Sequence, residues 1–188
     1  MTGYVPALPL EKKDAKNKNS ETASEKEKDT QHEYNMPVEI HLGDKRSLSG
    51  KIHFKSEKKL TVNHEREGIL YKKTFLVDDI EEIEIKKWKG LQLKKTKEGD
   101  VYQFNSAVYK ITLKDKTSLQ VNDEILSFLG KIDLINKNGS VTLFTYWLDL
   151  QKSSGEWYTG MTGPASGFRI TPHKDVIQKI VFEKNKTK

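Results

Sequence analysis

The stretch VEIHLGDKRSLSGKIHFKSEKKLTVNHEREGILYKKTFLVDDIEEIEIKK, residues 38–87, decides the fold class of this chain. Val38, Ile40 and Leu42 alternate with polar or small residues, and this period of two predicts a strand with one buried face. Similar patterns predict four further strands, at residues 48–54, 60–63, 69–77 and 80–88. An Asp-Asp pair predicts a short helical turn before the last of them. Five short strands in about 50 residues indicate a small β-barrel.

The first hairpin of this stretch allows two registers. A tight turn pairs Leu42 with Leu48, whereas a wider loop pairs Leu42 with Ile52. We favour the tight turn, because Gly50 then lets the second strand bend as a small barrel requires.

Two histidines bear on the possibility of a metal site in this hairpin. In the wide register His41 and His53 would lie opposite each other, close enough to share a metal ion. In the tight register they are apart, and two ligands without a third make a poor site. We therefore predict no metal.

The same stretch resembles the Sm-like small β-barrels, in which an LxDGR-like turn precedes a glycine-bent strand and a closing DNIxxI-like segment. The positions that carry the resemblance are Leu42, Asp44, Arg46, Gly50, Asp79, Ile80 and Ile83. RNA-binding members build a base pocket from a loop Asp/Asn pair and an Arg-Gly dipeptide. This chain has Phe75, Leu76 and Val77 where the dipeptide should lie. The resemblance implies the barrel fold without the RNA pocket.

The beginning and the end of the stretch recur downstream. ITLKDKTSL at residues 111–119 repeats IHLGDKRSL at 40–48 with an offset of 71, and VIQKIVFEK at 176–184 repeats DIEEIEIKK at 79–87 with an offset of 97. The two offsets predict a duplicated unit with roughly 26 residues inserted in the second copy. Chance similarity between amphipathic strands is the alternative.

We therefore predict an all-β protein of two tandem small β-barrel (Sm-like) units behind a disordered N-terminal tail. The predicted segments are a tether at 1–36, the first barrel at 37–92, a connector at 93–107, the second barrel at 108–184 and a tail at 185–188. The tether is predicted disordered because residues 11–33 hold seven acids, six lysines and almost no large apolar residue. It either carries a docking segment at its Pro-containing tip or is a tail without a partner.

The second copy contains three further local signals. The sequence NKNG, with its Asn138-Gly139 step, predicts a hairpin turn between strands at 132–135 and 141–146. Residues 122–130 predict a short helix. Residues 153–167, with four glycines and a proline, predict a loop.

Two groups of residues are candidates for binding. The chain has 30 lysines, only three arginines and a net charge of +6, and six lysines without an acid fall within residues 86–97. The candidates in this run are Lys86, Lys87, Trp88, Lys89, Lys94, Lys95 and Lys97. The second group belongs to the glycine-rich loop and the residues after it, and comprises Trp157, Tyr158, Phe168 and Arg169. The lysines would contact phosphates and the rings would stack. Alternatively, the lysines only solubilise the surface, and Trp157 and Tyr158 cover the end of the second barrel.

The chain shows no sequence pattern of an enzyme. It has no cysteine, no phosphate-binding glycine motif and no assignable Ser/His/Asp set. We expect a non-catalytic protein-interaction or assembly module without a cofactor, which associates with itself or with a protein partner through strand edges. The alternative is a lysine-mediated nucleic-acid-binding protein.

The compartment depends on the N-terminus. Residues 1–16 lack the pattern of a secretory signal, and no apolar run is long enough to span a bilayer, which predicts a cytoplasmic protein without a membrane span. If the N-terminus is a processed one, a structural protein of the bacterial periplasm or envelope is the third expectation.

Overall fold

A computed structural model describes residues 31–122, 126, 128–158 and 167–183 of the chain. Alternating apolar residues place most of them in twelve β-strands, and the 3-10 turn Val77–Asp79 is the only helical segment within these ranges. The strands are β1 (His32–Leu42), β2 (Ser47–Ser56), β3 (Lys59–Arg66), β4 (Ile69–Leu76), β5 (Ile80–Lys95), β6 (Gly99–Leu113), β7 (Ser118–Asn122), β8 (Lys131–Asn136), β9 (Gly139–Phe144), β10 (Trp147–Lys152), β11 (Gly167–Arg169) and β12 (Ile177–Phe182). The all-β prediction is confirmed.

The strands form one open antiparallel sheet. Ten of them follow the order β4-β3-β7-β6-β5-β12-β1-β2-β8-β9, while β10 pairs with β6 and β11 pairs with β5. Two tandem barrels are not supported, because β5 pairs with β6 and β12 of the downstream half instead of closing onto β1. Residues 93–107, expected as a connector, form the ends of β5 and β6 and the turn between them.

The strand order is symmetric about the contact between β5 and β12. Strands β1, β2, β3, β4 and β5 correspond in turn to β6, β7, β8, β9 and β12, each pair at equal distances on opposite sides of this contact. The sequence offsets of 71 and 97 also relate equivalent positions in the strand pairing, Ile40 to Ile111 and Ile83 to Ile180. Four buried isoleucines lie side by side across the middle of the sheet, in the order Ile40, Ile180, Ile83 and Ile111. Each half of the sheet therefore contains strands from both copies of the repeat. The origin of the repeat by duplication stays a prediction.

The turns after β1 and β6 share one conformation. Lys45 and Lys116 have φ angles of 72° and 70°, in the left-handed region. The carboxylates of Asp44 and Asp115 accept hydrogen bonds from the backbone N–H two residues further on, at 3.2 and 2.8 Å. Hydrogen bonds from Thr117 hold the pKa of Asp115 below its usual value. The matching Asp-Lys positions of the repeat are thus turn residues.

The register of the first hairpin differs from both predictions. Ile40 lies opposite Leu48, which the favoured register paired with Leu42, so the pairing is shifted by two residues. Leu42 enters the turn, because its N–H donates to the carbonyl of Arg46 at 2.8 Å and the left-handed Lys45 closes the loop. His41 and His53 are apart, and no cluster of three potential metal ligands occurs among the described residues.

Strand β1 begins earlier in the chain than the sequence predicts. Residues 32–36, assigned to the tether, belong to β1 and pair with β2. Tyr34 explains the difference, because its buried ring stacks on Phe54 at 5.1 Å and Phe54 stacks on Phe128 at 4.6 Å. Residues 1–30 of the tether and the tail at 185–188 lie outside the described residues.

The local signals of the second copy have different outcomes. The NKNG hairpin is confirmed as β8 and β9, with Asn136 opposite Gly139. Four of the residues predicted to form a helix, 123–125 and 127, lie outside the described residues, and Asn122 ends β7. Of the predicted glycine-rich loop, residues 159–166 are likewise outside.

Candidate interaction face

A four-stranded segment contains most of the candidate binding residues. Beyond their contacts with β12 and β7, β5 and β6 continue as a pair and are flanked by β11 and β10, in the order β11-β5-β6-β10. Phe168 lies opposite Lys89, which lies opposite Asn105. Because successive side chains of a strand point to opposite faces, these registers divide the candidates between two faces.

The inner face of this segment is an aromatic core. Trp88 is fully buried, and its indole N–H donates to the carbonyl of Thr145 at 2.8 Å. Phe104 stacks on Trp147 at 4.9 Å, and Trp157 packs at 6.0 Å from the Phe104 ring. Trp88 and Trp157 therefore stabilise the fold and have no free face for a ligand.

Arg169 also belongs to this inner face. It is only 9% exposed, and its guanidinium carbon lies 5.3 Å from the ring centroid of Phe104 and 5.2 Å from that of Trp157. Trp157 and Tyr158 were expected to cover the end of a second barrel, but the sheet is open; Trp157 is buried in the aromatic core, whereas Tyr158 is 76% exposed.

The outer face of the segment carries exposed leucines among lysines. We call it the lysine–leucine face, and it consists of Lys87, Lys89, Leu91, Gln103, Asn105, Leu148 and Phe168. The side chains of Leu91, Leu148 and Phe168 are 58%, 54% and 50% exposed. Leu91 and Leu148 both lie opposite Gln103, one on each side of it, so Gln103 separates the two leucines across β6.

The lysine run and the loop aromatics meet on this face. The ammonium nitrogens of Lys87 and Lys89 both lie 5.9 Å from the centroid of the Phe168 ring. Lys86 instead forms an ion pair with Glu84 at 2.7 Å. The remaining lysines of the run are exposed at the end of the β5–β6 hairpin, and they are Lys94, Lys95 and Lys97.

The acidic residues that precede the lysines do not neutralise this hairpin end. The ten residue-to-residue steps from Glu84 to Lys94 span roughly 33 Å of extended strand, several times the screening length of about 8 Å at physiological salt. Glu81 forms an ion pair with Lys116, in the turn after β6, at 2.6 Å, and Glu82 forms one with Lys179 of β12 at 3.3 Å. Glu81, Glu82 and Glu84 are thus each paired with a nearby lysine.

A second basic surface, a groove of about 560 Å³ between β3 and β7, is less suited to bind an anion. Arg66, Lys86, Lys110 and Lys116 line it together with Glu65. Three of these cations already contact carboxylates: Arg66 that of Glu67, Lys86 that of Glu84 and Lys116 that of Glu81. Its net attraction for an anion is correspondingly reduced.

Sequence reasoning missed the leucines of this face. Lys89 and Leu91 alternate with Gly90 and Gln92, and apolar residues in such a pattern are normally assigned to the core. The available signal was Trp88, because a buried tryptophan places the residues on either side of it outside. Leu148 joins the face only through the pairing of β10 with β6, which no local pattern indicates.

Comparison with known proteins finds no match to this chain among family models, curated proteins or solved structures. The likeness to Sm-like barrels therefore stays a prediction. None of the described residues belongs to a helix with the length and apolar character needed to cross a membrane.

Proposed function

We propose that this protein is a non-catalytic assembly module whose copies associate through the edge strands of its open sheet. The observation that supports it best is strand β4. This strand ends the sheet, and its outer edge has no partner among the residues that the structure describes. A free edge of unpaired backbone groups is a template for adding another strand.

The side chains of β4 favour such pairing at one end of the strand. Ile69, Leu70 and Tyr71 are 55%, 71% and 44% exposed, although all three are large and apolar. Lys72 and Lys73 follow, and lysines on an edge strand limit uncontrolled pairing. The combination of an apolar end and a charged middle supports a short, specific contact.

The opposite end of the sheet offers a second edge. Strand β9 occupies the position equivalent to β4 in the strand order, and it exposes Val141 and Phe144. Phe144 at the end of β9 forms a parallel bridge with Val176, and the rest of the outer edge of β9 has no strand partner among the described residues. An edge at each end of the sheet is the arrangement that head-to-tail association between copies requires.

Analytical ultracentrifugation of the full chain over a concentration series tests this proposal. Ile69→Lys places a charge at the apolar end of β4 and should weaken self-association by at least about tenfold. Ile135→Lys is the matched control, because Ile135 is also 55% exposed but lies in β8, which has strands on both sides. A protein that stays monomeric at all concentrations would overturn the proposal, as would equal effects of the two variants.

Nucleic-acid binding receives less support. Trp88, Trp157 and Arg169 were expected to stack on bases or contact phosphates, and all three are buried in the aromatic core. Phe168 and Tyr158 are the exposed rings of the candidate set.

A further inference from the structure

We propose that the lysine–leucine face docks this protein on an anionic lipid surface. The inference goes beyond self-assembly and concerns a different part of the molecule, since the edge strands β4 and β9 are separate from the β11-β5-β6-β10 segment. Three properties of the face support it: its apolar content, its charge and its shape.

The apolar content is unusual for a sheet face that meets water. The outer face of an antiparallel sheet is normally polar. Here Leu91, Leu148 and Phe168 are each about half exposed, and they come from β5, β10 and β11 of the four-stranded segment. Clusters of exposed apolar side chains mark surfaces that contact a protein partner or a membrane.

The charge of the segment selects an anionic partner. Residues 86–106 contain six lysines and two acids, a net charge of +4. Lys94, Lys95 and Lys97 stand at the hairpin end together with Glu98 and Asp100. Lysine-rich segments are attracted to the negative surface potential of membranes that contain anionic lipids. The ammonium groups of Lys87 and Lys89 border the apolar cluster directly, through their contact with Phe168.

The combination favours a lipid surface over a nucleic acid. Leucine side chains neither stack on bases nor bind phosphates, whereas they enter the boundary between headgroups and acyl chains. The face has a single aromatic ring, and Arg169, the one arginine in this region, is buried on the opposite side. Leucines bordered by lysines on one face suit a membrane interface, where apolar groups insert and ammonium groups contact lipid phosphates.

The groups of the face share one side of the sheet, a shape that lets them approach a surface together. They lie on one side of adjacent strands, at the end of a hairpin that extends beyond β12 and β7. Docking in this orientation leaves the edge of β4 available, so lipid binding and self-assembly are compatible.

Vesicle flotation of the full chain tests the inference, with phosphatidylcholine vesicles compared with vesicles that also contain phosphatidylserine. We expect binding only to the anionic vesicles, with an affinity that falls as salt is raised. Lys94→Gln/Lys95→Gln/Lys97→Gln should weaken binding about 100-fold, since each lysine near an anionic surface contributes about fivefold. The matched control is Lys58→Gln/Lys59→Gln/Lys72→Gln, which removes three exposed lysines elsewhere.

A second variant separates lipid docking from general attraction between charges. Leu91→Gln/Leu148→Gln keeps every charge and should weaken vesicle binding by about tenfold for each leucine. Ile135→Gln, at an equally exposed site away from the face, should bind like the wild type. Circular dichroism confirms that each variant is folded. Failure of the wild type to bind, equal binding to neutral vesicles, an unchanged leucine variant, or tighter binding to single-stranded RNA than to vesicles would each overturn the inference.

Discussion

Trp88 links two parts of the chain that are distant in sequence. It lies in β5, its N–H bonds the carbonyl of Thr145, and its ring lies 5.8 Å from that of Trp147. The surrounding lysines suggested a surface ring, but the alternation of a strand places Trp88 inside when Lys87 and Lys89 are outside. A tryptophan between lysines is thus compatible with the core of a β-sheet.

Substitution of Trp88 should destabilise the fold strongly. Trp88→Phe retains most of the apolar volume but leaves the buried carbonyl of Thr145 without its donor, which should cost about 1–3 kcal/mol in the free energy of unfolding. Trp88→Ala adds a cavity and should cost about 3–5 kcal/mol. Urea denaturation measures both, with Tyr158→Ala at an exposed site as the control, expected within about 0.5 kcal/mol of wild type. Equal stability of Trp88→Phe and wild type would contradict this role.

The candidate site could be predicted from the sequence only in part. Lys87, Lys89 and Phe168 were identified because clustered lysines and aromatic rings beside a glycine-rich loop are visible in the sequence, and the structure brings them together. The face of the sheet on which each of them lies could not be predicted, because the strand was expected to end at Trp88. The contribution of Leu148 depends on a pairing between distant strands.

At the scale of single elements, the contact between β2 and β8 depends on Gly50. A Cβ atom at this position would lie 2.5 Å from the carbonyl oxygen of Ile135, closer than van der Waals contact allows. Val121 occupies the equivalent place in β7 and is fully buried. The two ends of the sheet thus have the same strand order with different packing, and Gly50 allows β2 and β8 to approach closely.

Gly50→Ala should loosen the attachment of the β8–β9 hairpin. The added methyl group must displace backbone, so we expect a loss of about 1–3 kcal/mol in the free energy of unfolding. Gly130→Ala is the control, because no atom lies within 4 Å of a Cβ at Gly130. Urea denaturation of both variants measures the difference. A Gly50→Ala variant as stable as Gly130→Ala would show that the close approach is not needed.

At the scale of the whole molecule, the elements were easier to predict than their pairing. The alternation around Val38, Ile40 and Leu42 shows which face of β1 is buried, and it does so whichever strand lies beside it. The partner of β1 on its second side is β12, from the opposite end of the chain. Local patterns carry no information on that choice, and for this reason two barrels were expected where one interleaved sheet is found.

Division of the chain in the β5–β6 turn tests the interleaving. Fragments 1–97 and 98–188 each lack partners for their central strands, so neither should give the dispersed amide spectrum of a folded monomer by NMR. An equimolar mixture should restore the spectrum of the intact chain. A folded, monomeric fragment 1–97 would contradict the interleaved sheet and support two tandem barrels.

The pairing of β1 with β12 has a consequence for synthesis on the ribosome. The central strands β5 and β12 cannot meet until the last strand has been translated, which at about 5–20 residues per second leaves the first half waiting for many seconds. During that time the isoleucines of the central row remain exposed to water and to other nascent chains. We expect the unfinished polypeptide to depend on chaperones, and a premature stop codon just before β12 to lead to aggregation or proteolysis.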